Sequence, residues 1–92
     1  MTHLVALPRF QKAAKKMRPA EKAALHDAIR AVVADPAVGD MKVGDLAGTR
    51  VHKYRYQATQ MLLAYSVSDD GGTITLQAIG THENFYRDLK RD

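Results

Sequence analysis

Residues 50–79 read RVHKYRYQATQMLLAYSVSDDGGTITLQAI. Arg50 to Gln57 alternates, with Val51, Lys53 and Arg55 on one side and His52, Tyr54 and Tyr56 on the other. That is the two-residue period of a strand with unlike faces. Met61 to Ser68 is nearly all apolar and predicts a central strand buried on both faces. SDDGGT at 68–73 is rich in residues that reverse a chain and predicts a hairpin turn. Thr73 to Ile79 alternates again, with Ile74, Leu76 and Ala78 expected together on one side. Three consecutive strands with short connections predict an antiparallel meander.

Upstream, PAVGDMKVGDLAGT at 36–49 is the least regular stretch. Its glycines, proline and aspartates predict a loop, with Val43 and Leu46 as expected anchors. Two helices are predicted before it. Phe10, Ala13, Ala14 and Met17 share one face of the first, with Lys12, Lys15 and Lys16 away from it. Arg18-Pro19 ends that helix, because the residue before proline is pushed out of the α region. Pro19 then suits the first turn of a second helix, where Glu21 is favourable near the positive end. Leu25, Ala28, Ile29, Val32 and Val33 keep the helical period up to Asp35-Pro36. The tight connection predicts a helical hairpin. HLVAL at 3–7, just before Pro8, reads as an edge strand. Downstream, Gly80-Thr81 is expected to open a short final helix with Thr81 as N-cap.

The expected fold is therefore α+β: an N-terminal helical hairpin packed on a four-stranded antiparallel sheet, with a short C-terminal helix. Ninety-two residues make a single domain, 1–92, that buries roughly 60–65% of its unfolded surface. There is no cysteine. Disulfides and thiol chemistry are excluded, and a reducing compartment is favoured. MTHLVALPRF lacks a signal-peptide pattern, and no apolar run approaches the ~20 residues of a membrane span. A cytoplasmic protein is expected. Fourteen Lys and Arg against ten Asp and Glu leave a net charge of +4. That excess suits a polyanion or an acidic protein partner, or is a solvated basic surface. Tryptophan is absent, so base stacking would fall to tyrosine, phenylalanine and histidine.

Two constellations carry chemistry. His82, Tyr86 and Arg87 would fall within ~1.5 turns of the final helix. A titratable ring, a phenol and a guanidinium there resemble a small RNA-cleaving site. The alternatives are a histidine packed between Phe85 and Leu89, a rim tyrosine, and an arginine paired with Glu83. Lys53 and Arg55, two apart on a strand, point to one face and together suit a phosphate; otherwise they are solvated charges. Lys12, Lys15 and Lys16 read as a solvated face or an RNA grip. The four histidines show no metal-ligand spacing, and no metal or cofactor is expected.

The element order, with PRFQKAAKKM, LAGTRVHKYRY, MLLAYSV and GTHENFYRDL, resembles the RelE/ParE superfamily of bacterial toxins. These are the toxic halves of type II toxin–antitoxin pairs. The resemblance implies a ribosome-dependent mRNA endoribonuclease in the RelE-like branches, or a DNA gyrase inhibitor without nuclease activity in the ParE branch. By position, Lys53 and Arg55 match the paired basic residues of the first meander strand, and His82 and Tyr86 match the C-terminal pair. GTH with an aromatic four residues after the histidine looks like the YafQ-type branch. Three departures stand out. Leu62 occupies a position where many relatives carry arginine. Tyr56 and Gln60 stand where the YafQ-type branch has a histidine and an acidic residue.

On this reading the protein arrests growth by cleaving mRNA on the ribosome. Catalysis would fall to His82, Arg55, Lys53 and Tyr86, without metal. RNA contacts would come from Arg50, Arg87, Lys12, Lys15 and Lys16. The implied partner is an antitoxin that wraps the basic surface and blocks the site.

Overall fold

A computed structural model describes residues 2–81. The expected C-terminal helix lies outside the described residues. In chain order the elements are β1 (His3–Ala6), α1 (Pro8–Lys15), α2 (Pro19–Ala34), β2 (Asp40–Met41), a 3₁₀ turn (Gly44–Leu46), β3 (Arg50–Tyr56), β4 (Thr59–Val67) and β5 (Thr73–Thr81). The sheet has five strands in the order β1-β5-β4-β3-β2.

The meander forms as expected, with β3, β4 and β5 antiparallel. The four-stranded antiparallel expectation is corrected twice. First, β1 is an edge strand but runs parallel to β5, with Leu4 opposite Ile74 and Ala6 opposite Leu76. Short turns force neighbouring strands to alternate direction. Two helices separate β1 from the meander, so no turn constrains it. Second, the loop contains a fifth strand, with Asp40 opposite Val51 and Met41 opposite Arg50.

The expected hairpin packed on the sheet is corrected in detail: both helices lie on the sheet, but over different strands. Proline stands in the first turn of both. α1 lies over β5, and α2 reaches β3. Each helix has its apolar stripe on the sheet, which gives more area to bury than a partner helix of eight residues would. Phe10, Leu25, Ala28 and Val32 pack on Leu63, Tyr65, Ile74 and Leu76. A second cluster joins Val51, Leu62, Ala64 and Ala78, with Leu46 against it. β4 contributes to both, so Met61 to Tyr65 are all buried.

A bulge explains why Ala78 is not grouped with Ile74 and Leu76. Tyr65 pairs with Leu76, yet Ala64 pairs with Ala78, which leaves Gln77 as the extra residue. The alternation slips by one there, and Ile79 returns to the helix-covered cluster. Gln77 accepts a 3.1 Å hydrogen bond from the Thr49 hydroxyl. β5 then continues, with Gly80 opposite Leu62 and Thr81 opposite Met61. Thr81 is a paired strand residue and not the N-cap expected of it. Val43 is 84% exposed and anchors nothing, whereas Leu46 does pack.

Candidate functional site

β3 has one face toward the helices and one away from them. On the face away, Lys53 and Arg55 are exposed. Register places Leu62 opposite Lys53 and Gln60 opposite Arg55. Directly opposed residues in an antiparallel pair have Cβ atoms about 4.5–5.5 Å apart. Lys53, Tyr54, Arg55 and Gln60 line a surface hollow of about 230 Å³. Neither cation forms an ion pair or hydrogen bond with a described residue. Two unneutralised positive charges side by side, with no carboxylate between them, suit an acceptor-rich dianion or a phosphodiester.

Leu62 is wholly buried in the second cluster. Its side chain supplies packing under the site and no charge to it. The apolar run starting at Met61 leaves Gln60 outside the expected second meander strand. The strand in fact begins at Thr59, after a connection of only Gln57 and Ala58. Gln57 takes the left-handed conformation there, at φ 55°. The pair lacks the Asn-Gly or Asp-Gly that marks such hairpins, so the turn gave no sequence signal.

The other face of β3 holds His52 and Tyr54, whose rings stack at 6.3 Å between centroids. Burial pushes the Tyr54 phenol up to about 12, and the Glu21 carboxylate adds to the rise. Burial pushes the His52 imidazole below its ordinary 6.5. Its folded value therefore lies under its unfolded one. The stability it contributes is complete above 6.5 and is lost as pH falls through the folded value. Thermal midpoints should accordingly drop between pH 7 and 5, and His52→Gln should flatten that slope. An unchanged slope in the variant would assign the drop elsewhere.

Arg50 also lies on the helix side, away from Lys53 and Arg55. Its guanidinium donates to the Gly39 carbonyl at 2.9 Å. It holds the loop and does not join the cationic pair. Lys12 and Lys15 are exposed on α1, and Lys16 is exposed just after it. Lys12 and Lys15 border a groove of about 710 Å³ between α1 and α2. Its floor is Phe10, Ala14 and Leu25, and Lys22 and His26 complete the rim. The chain pattern showed both helix faces but not that the helices diverge enough to open this groove. His82, Tyr86 and Arg87 lie outside the described residues. The structure thus brings together Lys53, Arg55 and Gln60, and sets Arg50 and the α1 lysines apart from them. Among the described residues no helix is long and apolar enough to cross a membrane.

The family described as ParE-like toxin of type II bacterial toxin-antitoxin system matches residues 4–90. No curated protein matches the sequence. Among solved structures, the chain resembles one in the E. coli RelBE toxin–antitoxin complex, at TM-score 0.71 and 18% identity, covering 90% of this chain and 99% of that one. It also resembles one in the RelBE2 toxin–antitoxin complex of Mycobacterium tuberculosis, at 0.70 and 22%, covering 88% and 98%. A YoeB/ParE toxin from Agrobacterium tumefaciens is similar at 0.69 and 20%, covering 88% and 99%. At these identities the structural likeness speaks for the fold.

Proposed function

The chain belongs to the ParE-like toxin family of type II bacterial toxin–antitoxin systems, and from the site and not from that family match we propose that it arrests growth by cutting mRNA on the ribosome. The observation that carries this reading is the Lys53–Arg55 pair, exposed on a sheet face, paired with no carboxylate among the described residues and with an uncharged amide beside it. The two cations hold the scissile phosphate. The 2′-hydroxyl attacks phosphorus, the new 2′-oxygen–phosphorus bond forms, and the bond to the 5′-oxygen breaks. As charge builds on the phosphoryl oxygens, Lys53 and Arg55 stabilise it, which is where fixed charges lower a barrier most. His82 takes the 2′-hydroxyl proton or returns one to the leaving 5′-oxygen. Tyr86 stacks a base or orients the phosphate. The step needs no metal.

A second reading has its own observation. Leu62, where many relatives carry arginine, is buried in an apolar cluster. A site short of one cation fits a gyrase inhibitor that performs no chemistry. Induction of the chain in bacteria decides between them, with mRNA 5′ ends and plasmid supercoiling followed in one culture. Rapid in-frame cuts with normal supercoiling, abolished by His82→Ala, support the nuclease. Intact mRNA with relaxed plasmid or trapped gyrase–DNA breaks overturns it.

The partner is an antitoxin, and the groove between α1 and α2 is its seat. An apolar floor with three lysines on the rim fits an amphipathic helix with acidic flanks. Lys12 and Lys15 then serve the antitoxin and not RNA. Reversing Lys12, Lys15 and Lys22 to glutamate should weaken antitoxin binding by tenfold or more, by about 0.5–1 kcal/mol per rim charge. Toxicity without antitoxin should be retained. Unchanged affinity in a titration of antitoxin against the triple variant would remove the groove from this role.

A further inference from the structure

The segment after α2 differs from the rest of the chain in charge. Residues 35–45 hold three aspartates and one lysine, a net −2 in a chain of net +4. Asp35 and Asp40 are exposed there, and so are the apolar side chains of Val38, Met41 and Val43. The loop that carries them is fastened from below. The Gly39 N–H donates to the Tyr65 hydroxyl, the Arg50 guanidinium to the Gly39 carbonyl and the Lys42 N–H to the Thr49 carbonyl, each at 2.9 Å. A fixed backbone has already lost the entropy that binding would otherwise cost. Apolar side chains held out on it and rimmed by charge mark a protein-binding surface. An acidic rim selects an apolar partner surface edged with positive charge.

The same chain carries that counterpart. The groove between α1 and α2 has Phe10, Ala14 and Leu25 on its floor and Lys12, Lys15 and Lys22 on its rim. Loop and groove lie toward opposite ends of α2. Lys22 and the last helical residue, Ala34, are about 18 Å apart along the axis at 1.5 Å per residue. The fastened loop therefore does not reach the groove of its own copy. We propose that the loop of one copy docks in the groove of a second copy of this chain. Val38, Met41 and Val43 then cover the apolar floor, and Asp35 and Asp40 face the lysines. Because loop and groove are different patches, the contact is heterologous, and copies add head to tail without stopping at two. The inference holds whether the toxin cuts mRNA or inhibits gyrase. Antitoxin and second copy exclude each other from the groove, so antitoxin binding returns the toxin to monomers.

The test is sedimentation equilibrium of the purified chain. Small interfaces are weak, so the concentration series runs to ~1 mM. The weight-average mass of wild type should rise with concentration past twice that of the monomer. Lys12→Glu, Lys15→Glu and Lys22→Glu together reverse the groove's rim and keep the loop. Met41→Gln with Val43→Asn strips the loop of apolar contact and keeps the groove. Each variant alone should stay monomeric. An equimolar mixture of the two should associate again and stop at a dimer, one intact loop in one intact groove. A monomeric wild type, a mixture that stays monomeric, or association retained by either variant overturns the proposal. So does a wild-type plateau at the dimer, which points to a symmetric contact such as the free edge of β1, where Leu4 and Val5 are exposed. The substituted side chains are at the surface, and thermal midpoints of both variants check that the fold is kept. Antitoxin affinity unchanged by the lysine reversals would remove antitoxin from the groove and leave this contact standing, so the two readings fail separately.

Discussion

Arg55→Ala should abolish growth arrest, with mRNA cleavage reduced about 30- to 1,000-fold. The range follows from losing one charge contact to the developing phosphoryl charge, about 2–4 kcal/mol of barrier by analogy with oxyanion-hole deletions. Each 1.36 kcal/mol is worth tenfold in rate. Arg55 is exposed, and no described residue depends on it for a hydrogen bond. Its removal should therefore change stability by no more than about 0.5 kcal/mol. That separation gives the measurement its force: 5′-end mapping reads the chemistry and thermal unfolding reads the fold. Lys53→Ala should act in the same direction. Its neighbour across the strand, Leu62, has no charge to compensate. Full toxicity in either variant would return both cations to the solvent-exposed surface and favour the gyrase reading.

The site strand was legible because its two faces have different surroundings. Val51 is buried and Lys53 and Arg55 on the same side are exposed, while Tyr54 is pressed under α2. Alternation records that difference directly. β4 was legible for a complementary reason: it has a core on each side, so its residues are apolar without alternation. What the pattern missed depends on partners distant in the chain. The direction of β1 is decided by Thr73–Leu76, some 70 residues away. β2 is too short to show a period, and the bulge at Gln77 changes which face Ala78 takes without any glycine or proline to mark it. Gln60 is picked out in the sequence only by the resemblance; its place opposite Arg55 follows from the Gln57–Ala58 turn and not from its own neighbours.

The second large effect should come from a residue far from any charge. Gly39→Ala should destabilise the fold by about 2–4 kcal/mol, the combined scale of overpacking and a broken buried hydrogen bond. Gly39 is buried beneath the ring of Tyr65. A Cβ there would stand 2.8 Å from the Tyr65 hydroxyl oxygen, 2.9 Å from Cε1 and 3.0 Å from the Val51 carbonyl carbon. The tyrosine is wholly buried in the main cluster, and Val51 is sheet backbone, so neither can move aside cheaply. The same contact carries the hydrogen bonds that dock the loop. The Gly39 N–H donates to the Tyr65 hydroxyl at 2.9 Å, and that hydroxyl donates to the Pro36 carbonyl at 2.7 Å. Arg50 adds its bond to the Gly39 carbonyl. Tyr65→Phe should cost about 1–3 kcal/mol, because it leaves the buried N–H without a partner. Denaturant unfolding of both single variants and the double variant separates crowding from bonding. In the Tyr65→Phe background the closest of the three contacts is gone and the bond is already lost. Gly39→Ala should then cost at least 1 kcal/mol less than it does alone, a coupling within the range found for residues in contact. Additive costs would mean that the loop is held by something other than this latch. A loosened loop would also release β2 from β3, whose Val51 and Arg50 it pairs, Val51 being two residues before Lys53 on the strand. Toxicity should consequently fall in Gly39→Ala even at temperatures where most of the chain remains folded.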